Sequence, residues 1–301
     1  LMKIKESYKN LFPTPDKPMI IQELNLDIRK LLSKNLGLTN REANIESRFI
    51  LEHVLKVDHQ YLIKNFDKLI ETNKLNIIMK LVSERISHKP LAHILKEWKF
   101  YDMEFHINTN VLIPRQDTEL LVDLIIKKYD DQKNMGILDL GTGSGAIGIA
   151  LGNTFKNSNI LLSDISLNAI NIAKKNILRH KLENISVIHS DWFSNIPKKQ
   201  FEIIVSNPPY IEKSDPHLED KGLLYEPQDA LISEQEGYAD IVDIVKNSPG
   251  FLKPNGCLYI EHGYNQNKKV HQLFSDNNFT KIEQNKDLNG IIRVTSGEIK
   301  N

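Results

Sequence analysis

The sequence predicts an α/β protein: a doubly wound, mostly parallel sheet of seven strands, preceded by a small N-terminal helical bundle and a β-hairpin linker. Three observations carry that expectation. Residues 19–89 place apolar side chains three and four positions apart, the period of a helix with one buried face. Residues 90–113 alternate and are rich in aromatics, as a hairpin is. From Gly136 onward, short apolar runs alternate with helical stripes, which is how a parallel sheet with crossover helices is written. At 301 residues the chain is long enough for two domains with a buried core.

The elements follow in order. Residues 1–18 carry Pro13, Pro15 and Pro18 among Lys and Asn and predict an extended lead-in; Leu1 before Met2 suggests a native start at Met2 or upstream. The first stripe is Ile21, Leu24, Ile28, Leu31 and Leu32, with Gly37 where a helix C-cap falls. A second, with Thr39 or Asn40 as N-cap, holds Ile45, Phe49, Ile50, Val54 and Leu55. Leu62, Ile63, Phe66, Leu69 and Ile70 predict a third helix, and Ile77, Ile78, Leu81, Val82 and Ile86 a fourth. The second domain is expected over residues 114–301, opening with a helix that carries Leu120, Leu121, Leu124 and Ile125. Its seven strands are expected at residues 136–140, 160–163, 186–189, 201–205, 258–261, 280–283 and 291–295, with a turn at Lys253-Pro254-Asn255-Gly256 before the fifth. Helices lie between them, one capped by Ser166 and bearing Ala169, Ile170, Ala173 and Ile177, another holding Val270, Leu273 and Phe274.

Composition narrows the function. Acidic and basic residues balance at 39 each, but residues 1–90 hold 16 Lys+Arg against 11 Asp+Glu, so the front is +5 and the back −5. An acidic back half is a poor electrostatic footprint for gripping nucleic acid through phosphates. Cys257 is the only cysteine, which excludes an intramolecular disulfide and fits a reducing compartment; inside a strand it reads as packing. No apolar run of about 18 residues and no signal-like start are present, so a soluble, cytoplasmic protein with no membrane partner is expected. The ten histidines show no metal-ligand spacing, so no metal is expected. Lys174-Lys175 reads as a solvated helix face, and Glu226 and Glu261 as satisfied structural acids.

Two stretches carry chemistry. After the first strand come Gly141-Thr142-Gly143-Ser144-Gly145, and Asp164 stands 21 residues beyond Gly143 at the end of the next strand. Glycines let the backbone approach a ligand, and an acid placed there can accept ribose hydroxyls, so any adenosine-containing cofactor fits. Asp139, two residues before the first glycine, would repel a pyrophosphate and welcome a cationic amino-acid end. S-adenosylmethionine, with its sulfonium and ammonium, suits that better than a nicotinamide dinucleotide. The second stretch is Asn207-Pro208-Pro209-Tyr210. Two prolines end the ladder, leaving the Asn side chain and the Asn and Pro carbonyls as acceptors for a planar NH2 group.

With Asp-x-Gly-x-Gly-x-Gly, a second-strand acid and Asn-Pro-Pro-Tyr, the chain resembles the class I S-adenosylmethionine-dependent amino methyltransferases, a Rossmann-like family. More closely, it resembles the HemK-like protein-(glutamine-N5) methyltransferases that modify peptide-chain release factors. The resemblance runs from about residue 20 to the end. It takes in Pro90-Leu91-Ala92 with Ile94-Leu95, Leu112-Ile113-Pro114-Arg115 with Thr118-Glu119, Tyr225-Glu226-Pro227 with Ala230-Leu231, and Asp287-Leu288 with Gly290 and Arg293. Lys96 stands where the family usually has Gly, and Gln116-Asp117-Thr118-Glu119 replaces Pro-Glu-Thr-Glu.

The resemblance implies S-adenosylmethionine as cofactor, with Gly141, Thr142, Gly143, Ser144 and Gly145 around its methionine end, Asp164 on the ribose hydroxyls, and Trp192 beside Asp191 against the adenine. It implies release factors as protein substrates, docked by the +5 helical domain. For catalysis, the Asn207 side-chain oxygen and the Pro208 carbonyl are expected to accept the two N–H bonds of a glutamine carboxamide, with Tyr210 on the amide face and Pro209 completing the substrate site. Four other functions compete: an adenine-N6 amino methyltransferase, which would need a basic recognition region, a ribosomal-protein glutamine methyltransferase, a nicotinamide oxidoreductase, and a non-catalytic adenosine-binding module.

Overall fold

A computed structural model describes residues 18–129, 134–198 and 201–300, so the expected lead-in lies, except for Pro18, outside the described residues. The chain divides into two compact units, Leu1–Lys96 and Glu97–Asn301.

In the first unit, helices α1 (Ile21–Leu36), α2 (Asn40–Leu55) and α4 (Thr72–Ile86) supply the core, burying Leu24, Ile28 and Leu32 against Ile50, Leu51, Ile78 and Val82. Thr39, not Asn40, is the N-cap of α2: its hydroxyl accepts Glu42 N–H and the Glu42 carboxylate accepts Thr39 N–H, a reciprocal capping box. Gly37 ends α1 in the left-handed region at φ 70°. Arg85 grips Glu46 through Nε (2.7 Å) and a terminal nitrogen (3.0 Å), tying α4 to α2.

The third helix is shorter than its stripe predicts. Helix α3 spans only His59–Lys64, because Asn65 turns its side-chain amide onto the Tyr61 carbonyl and closes the last turn. Phe66 to Ile70 then run back beside the start of α1, with Ile21 N–H on Lys68 O and Ile70 N–H on Met19 O. Phe66 and Leu69 are exposed rather than core. A fifth helix, α5 (Leu91–Leu95), occupies the start of the stretch expected to be a hairpin, and all five residues are buried. Lys96 follows at φ 61°, a left-handed position that glycine would take without strain.

The second unit opens with the hairpin itself, β1 (Glu97–Phe100) and β2 (Met103–His106), joined by Tyr101 and Asp102, both at positive φ. A short 3-10 turn at Gln116–Thr118 leads into α6 (Glu119–Lys128). Strands β3 (Gly136–Leu140), β4 (Asn159–Asp164), β5 (Ile185–His189), β6 (Phe201–Ser206), β7 (Leu252–Glu261), β8 (Phe279–Lys286) and β9 (Ile292–Ile299) form one sheet in the order β5-β4-β3-β6-β7-β9-β8. The first five are parallel; β9 runs antiparallel to β7 and to β8. Seven strands were expected, and the expected parallel core is present.

Helices α7 (Ala146–Thr154) and α8 (Leu167–His180) connect β3 to β4 and β4 to β5. Ser166 caps α8 by accepting Ala169 N–H. Helix α9 (Ala239–Asn247), which the sequence reading passed over, packs with α10 (Asn267–Asp276) on one sheet face, where Ile241, Ile244 and Phe274 meet Leu138, Ile204 and Leu258. Each such side chain contributes about 1.5–3 kcal/mol by leaving water. The turn expected at residues 253–256 lies within β7, absorbed by a register shift opposite Phe201–Ile203 with Asn255 at φ 61°.

Strand order reverses between β3 and β6: the chain winds outward through β4 and β5, then returns to the other side of β3. Open α/β sheets hold ligands at such a point, beyond the carboxyl ends of the strands. Leu140 pairs with Ser206, whose hydroxyl donates to Leu140 O at 2.8 Å. Gly141 and Asn207 are the next residues on each strand, so the two motifs leave the sheet side by side.

Candidate active site

A cleft of about 450 Å³ opens at this reversal, within the size range of small-ligand and cofactor sites. The glycine turn forms its floor. Gly141 has φ 68°, and a Cβ there would press on the Trp192 ring at 3.3 Å; both reasons require glycine. Thr142 N–H donates to Ser163 O, which pins the turn to the end of β4.

Two acids shape that turn. Asp164 accepts Gly143 N–H on one carboxylate oxygen and Ser166 N–H on the other, each at 2.8 Å, and lines the cleft. Burial raises its pKa, opposed by those backbone N–H groups and by His189. Asp139 is fully buried and does not line the cleft; its Oδ2 accepts the Thr142 hydroxyl (2.6 Å) and Gly148 N–H (3.0 Å). Its Oδ1 has no hydrogen-bond partner, and burial pushes the pKa up to about 7 against the pull of those two donors. Asp139 therefore bonds into the turn, behind the cleft lining. Gly148 is the reason it fits: a Cβ on that helix residue would collide with Leu162 and come within 3.0 Å of the Asp139 carboxylate.

Asp191 and Trp192 line the side of the cleft beyond β5. Trp192 adopts φ 37° and donates its indole N–H to Asp240 Oδ1 at 3.2 Å, which holds the ring over Gly141. Thr142, Gly143 and Ser144 also line it; Gly145, a left-handed residue at the N-terminus of α7, does not.

On the β6 side, Asn207 and Pro209 line the cleft, while Pro208 is buried and Tyr210 lies outside the lining. The Asn207 amide nitrogen donates to Thr118 Oγ1 at 3.1 Å. The Tyr210 hydroxyl donates to Glu261 Oε1 at 3.2 Å, and its ring packs on the sheet core. Burial and the Glu261 carboxylate drive the Tyr210 pKa far up, so it stays a neutral donor. Glu261, at the end of β7, is itself 2% exposed, and burial pushes its pKa up to about 7 although the Thr118 and Tyr210 hydroxyls favour its charged form.

The remaining wall comes from segments to which sequence reasoning gave no site role: Asn110 to Arg115 and Pro227 to Ile232. Glu226 joins them, accepting Ile113 N–H at 2.9 Å and the Arg115 guanidinium at 2.6 Å. It is therefore a satisfied structural acid, as expected. Thr118, matched by the resemblance but given no site role, stands at the start of α6 with no cap bond to its own helix, which frees its hydroxyl for Asn207. Among the described residues no cluster of three or more His, Cys, Asp or Glu could hold a metal ion, and no helix is long and apolar enough to cross a membrane.

Residues 26–95 match the PrmC N-terminal domain and residues 116–222 the Methyltransferase small domain. The release factor glutamine methyltransferase of Buchnera aphidicola is 38% identical over 275 residues, covering 91% of this chain and 99% of that protein. The chain belongs to the release factor glutamine methyltransferase family. It also aligns, at 35% identity over 87% of its length, with the bifunctional methyltransferase of Rickettsia bellii, of which it spans only 52%. A solved methyltransferase from Pyrococcus furiosus shares the fold, with a TM-score of 0.51 at 14% identity, over 77% of this chain and 100% of that one. In this chain the cleft lies where the glycine turn and Asn207 leave β3 and β6, and segments 112–115 and 227–230 form part of its wall.

Proposed function

We propose that this chain transfers the methyl group of S-adenosylmethionine to the side-chain amide nitrogen of the glutamine in the Gly-Gly-Gln motif of peptide-chain release factors. The observation that carries this is the pairing of Asn207 with the glycine turn on adjacent strands: an amide acceptor stands beside a cleft suited to an adenosine cofactor. The residues present fit that cofactor. Asp164 keeps a second lone pair on each oxygen for ribose hydroxyls, and Trp192 offers a ring face. Bound there, S-adenosylmethionine supplies an electrophilic methyl.

The protein's task is arrangement, because an amide nitrogen is a weak nucleophile whose lone pair is shared with its carbonyl. Asn207 Oδ1 and the Pro208 carbonyl accept the N–H bonds of the substrate amide, which raises electron density on nitrogen as the new bond forms. Most of the gain is positional, and once nitrogen carries the methyl its surplus proton leaves to water. Pro209 shapes the entrance, and Tyr210 supports the motif from below through Glu261. Asp139 acts through the turn: it holds Thr142 and the start of α7 in place around the methionine end. The helical domain over residues 19–89 docks the protein substrate, a role suited to its positive charge.

The test is incubation with labelled cofactor and either a release factor or duplex DNA, followed by mass spectrometry of the Gly-Gly-Gln peptide. One added methyl on the glutamine is expected. Label in the DNA and none in the peptide would refute the proposal.

A further inference from the structure

On the function proposed above, the substrate amide meets two acceptors, the Asn207 side-chain oxygen and the Pro208 carbonyl. A side-chain oxygen is aimed by its own rotamer, but a carbonyl is aimed only by the backbone on either side of it. The rings of Pro208 and Pro209 lock φ at both residues, so the freedom left in the pair is in their ψ angles. The direction of the Pro208 carbonyl therefore depends on how the peptide that follows is held.

The Tyr210–Ile211 peptide is held on both edges. Its carbonyl accepts Gln266 Nε2 at 3.0 Å, and its N–H, that of Ile211, donates to Leu231 O at 3.0 Å. Gln266 stands between β7 and α10 and is 3% exposed, so its amide must find partners inside the protein. It finds three. Oε1 accepts Gly263 N–H at 2.8 Å, which fixes the way the carboxamide faces, because a backbone N–H can only donate. Nε2 is left to donate, and its second bond goes to Gly237 O at 3.2 Å.

The Gly237 turn is shaped to meet it. Gln235 and Glu236 take φ 55° and 60° and Gly237 takes φ 83°, a left-handed run that is unfavourable for residues with side chains. A Cβ at Gly237 would collide with the Tyr210 carbonyl and come within 3.0 Å of Gln266 Nε2, so only glycine leaves room for both. The cleft wall just before this turn is hooked to the same stretch, since Ser233 N–H donates to Ile211 O at 3.0 Å.

We propose that Gln266 is a positioning residue for the methyl-transfer step: its two N–H bonds join the Tyr210–Ile211 peptide to the Gly237 carbonyl, which keeps the Pro208 carbonyl aimed at the substrate amide and the wall at residues 227–232 in place beside it. The proposal rests on the function proposed above for Asn207-Pro208-Pro209-Tyr210. Gln266 does not line the cleft, so it acts wholly through Tyr210 and Gly237.

The experiment compares Gln266→Met, Gln266→Glu and Asn207→Ala with wild type in the full chain, using a release factor and S-adenosylmethionine, with thermal melts by circular dichroism to establish folding. Gln266→Met keeps the length and removes both donated bonds. Gln266→Glu keeps the shape and the acceptor for Gly263 N–H but loses at least one donated bond. In Gln266→Met, kcat should fall about tenfold or more, the scale of one or two lost hydrogen bonds, and in Gln266→Glu several-fold. KM for the release factor and cofactor Kd should stay within about threefold of wild type, because the loss falls on the transition state. Hydrogen exchange in the wild type gives a readout that depends on no variant. Residues 208–211 carry only the Tyr210 and Ile211 amides, and the Ile211 amide should exchange as slowly as those of β6. Folded Gln266 variants with wild-type kcat, alongside an inactive Asn207→Ala, would overturn the positioning role and leave the function of the motif standing. Losses of kcat and cofactor affinity in equal measure would overturn it too, as would an Ile211 amide that exchanges like that of a free peptide. Full activity in Asn207→Ala would overturn the reading of the motif and the role of Gln266 with it.

Discussion

Asp139→Asn is expected to make the protein more stable at neutral pH. Asp139 has no exposed surface, and its pKa is raised from 3.8 to about 7 because burial penalises its charge more than Thr142 and Gly148 favour it. The sign follows from linkage. With the folded pKa above the unfolded one, the folded state binds the extra proton between the two values, so stability falls as pH rises from about 4 to about 7 and is level above. A gap of about three units corresponds to about 4 kcal/mol lost from one end of that window to the other. Asparagine carries no charge to bury. Its oxygen can accept both donors that Oδ2 now accepts, and its amide nitrogen takes the place of Oδ1, which already lacks a partner. That buried unpaired N–H costs about 1–3 kcal/mol, so the net gain at pH 8 is about 1–3 kcal/mol. Urea denaturation of wild type and Asp139→Asn at half-unit steps from pH 5 to pH 8, followed by fluorescence of Trp98 and Trp192, both in the second unit, measures both curves. The wild type should lose stability across the series and the variant much less, with Glu261 supplying a residual slope of the same sign. Parallel curves, or a variant less stable than wild type at pH 8, would refute the assignment of a buried and costly charge.

Three further outcomes test the site. Asn207→Ala should reduce kcat about 100-fold, the usual scale for losing one preorganised polar contact to the transition state, with cofactor Kd within twofold by calorimetry. Glu226→Gln replaces the acceptor of the Arg115 guanidinium and of Ile113 N–H with a neutral amide, so the cleft wall should loosen. A loss of about 3 kcal/mol in denaturation and faster hydrogen exchange over residues 110–115 are expected, because the buried partner of an ion pair is altered. Gly148→Ala forces a methyl against Leu162 and Asp139, and overpacking of this kind costs about 1–3 kcal/mol. Its melting temperature should fall, and cofactor affinity should fall with it as the turn shifts.

Much of this architecture was legible because single residues decide it. Gly37, Thr39 and Ser166 mark helix ends by chemistry that operates over three or four residues, and each stands where the structure ends or begins a helix. The strands of the parallel core are apolar runs because both faces are covered. Misreadings arose where a tertiary contact overrode a local pattern. The stripe through Phe66 and Leu69 has helical spacing, yet backbone pairing with residues 19–22 draws that segment out straight. Lys253 to Gly256 has turn chemistry, but a bulge in a long strand uses the same residues. At the site, motif residues were visible as types, whereas Thr118 and Glu261 come from positions 89 and 54 residues away from Asn207 and signal nothing by spacing. Asp139 was visible as a charge near the turn, but the direction it faces depends on Gly148 nine residues on, across a helix start.

The doubled proline gains its meaning from this arrangement. Strand β6 must stop at Ser206, because Pro208 and Pro209 have no N–H to continue the ladder with β3 or β7. Stopping it there frees the Asn207 side chain at the level where β3 gives way to Gly141, and parallel strands stand about 4.8 Å apart. On the proposed function, an acceptor and a methyl-donor cleft are thus set side by side by sheet spacing, at the ends of two central strands. Loops could supply the same groups, yet a shift of about 1 Å would cost on the order of 100-fold in rate for a reaction that depends on alignment. Tyr210 completes the device from outside the cleft. Its hydroxyl, anchored on Glu261 at the end of β7, ties the segment after the prolines to the next strand over, so that Ser206 and Tyr210, on either side of Asn207-Pro208-Pro209, are both fixed to the sheet. The proposed acceptor is held on both sides, and the two prolines between have no backbone donor to compete with the N–H bonds of a substrate amide.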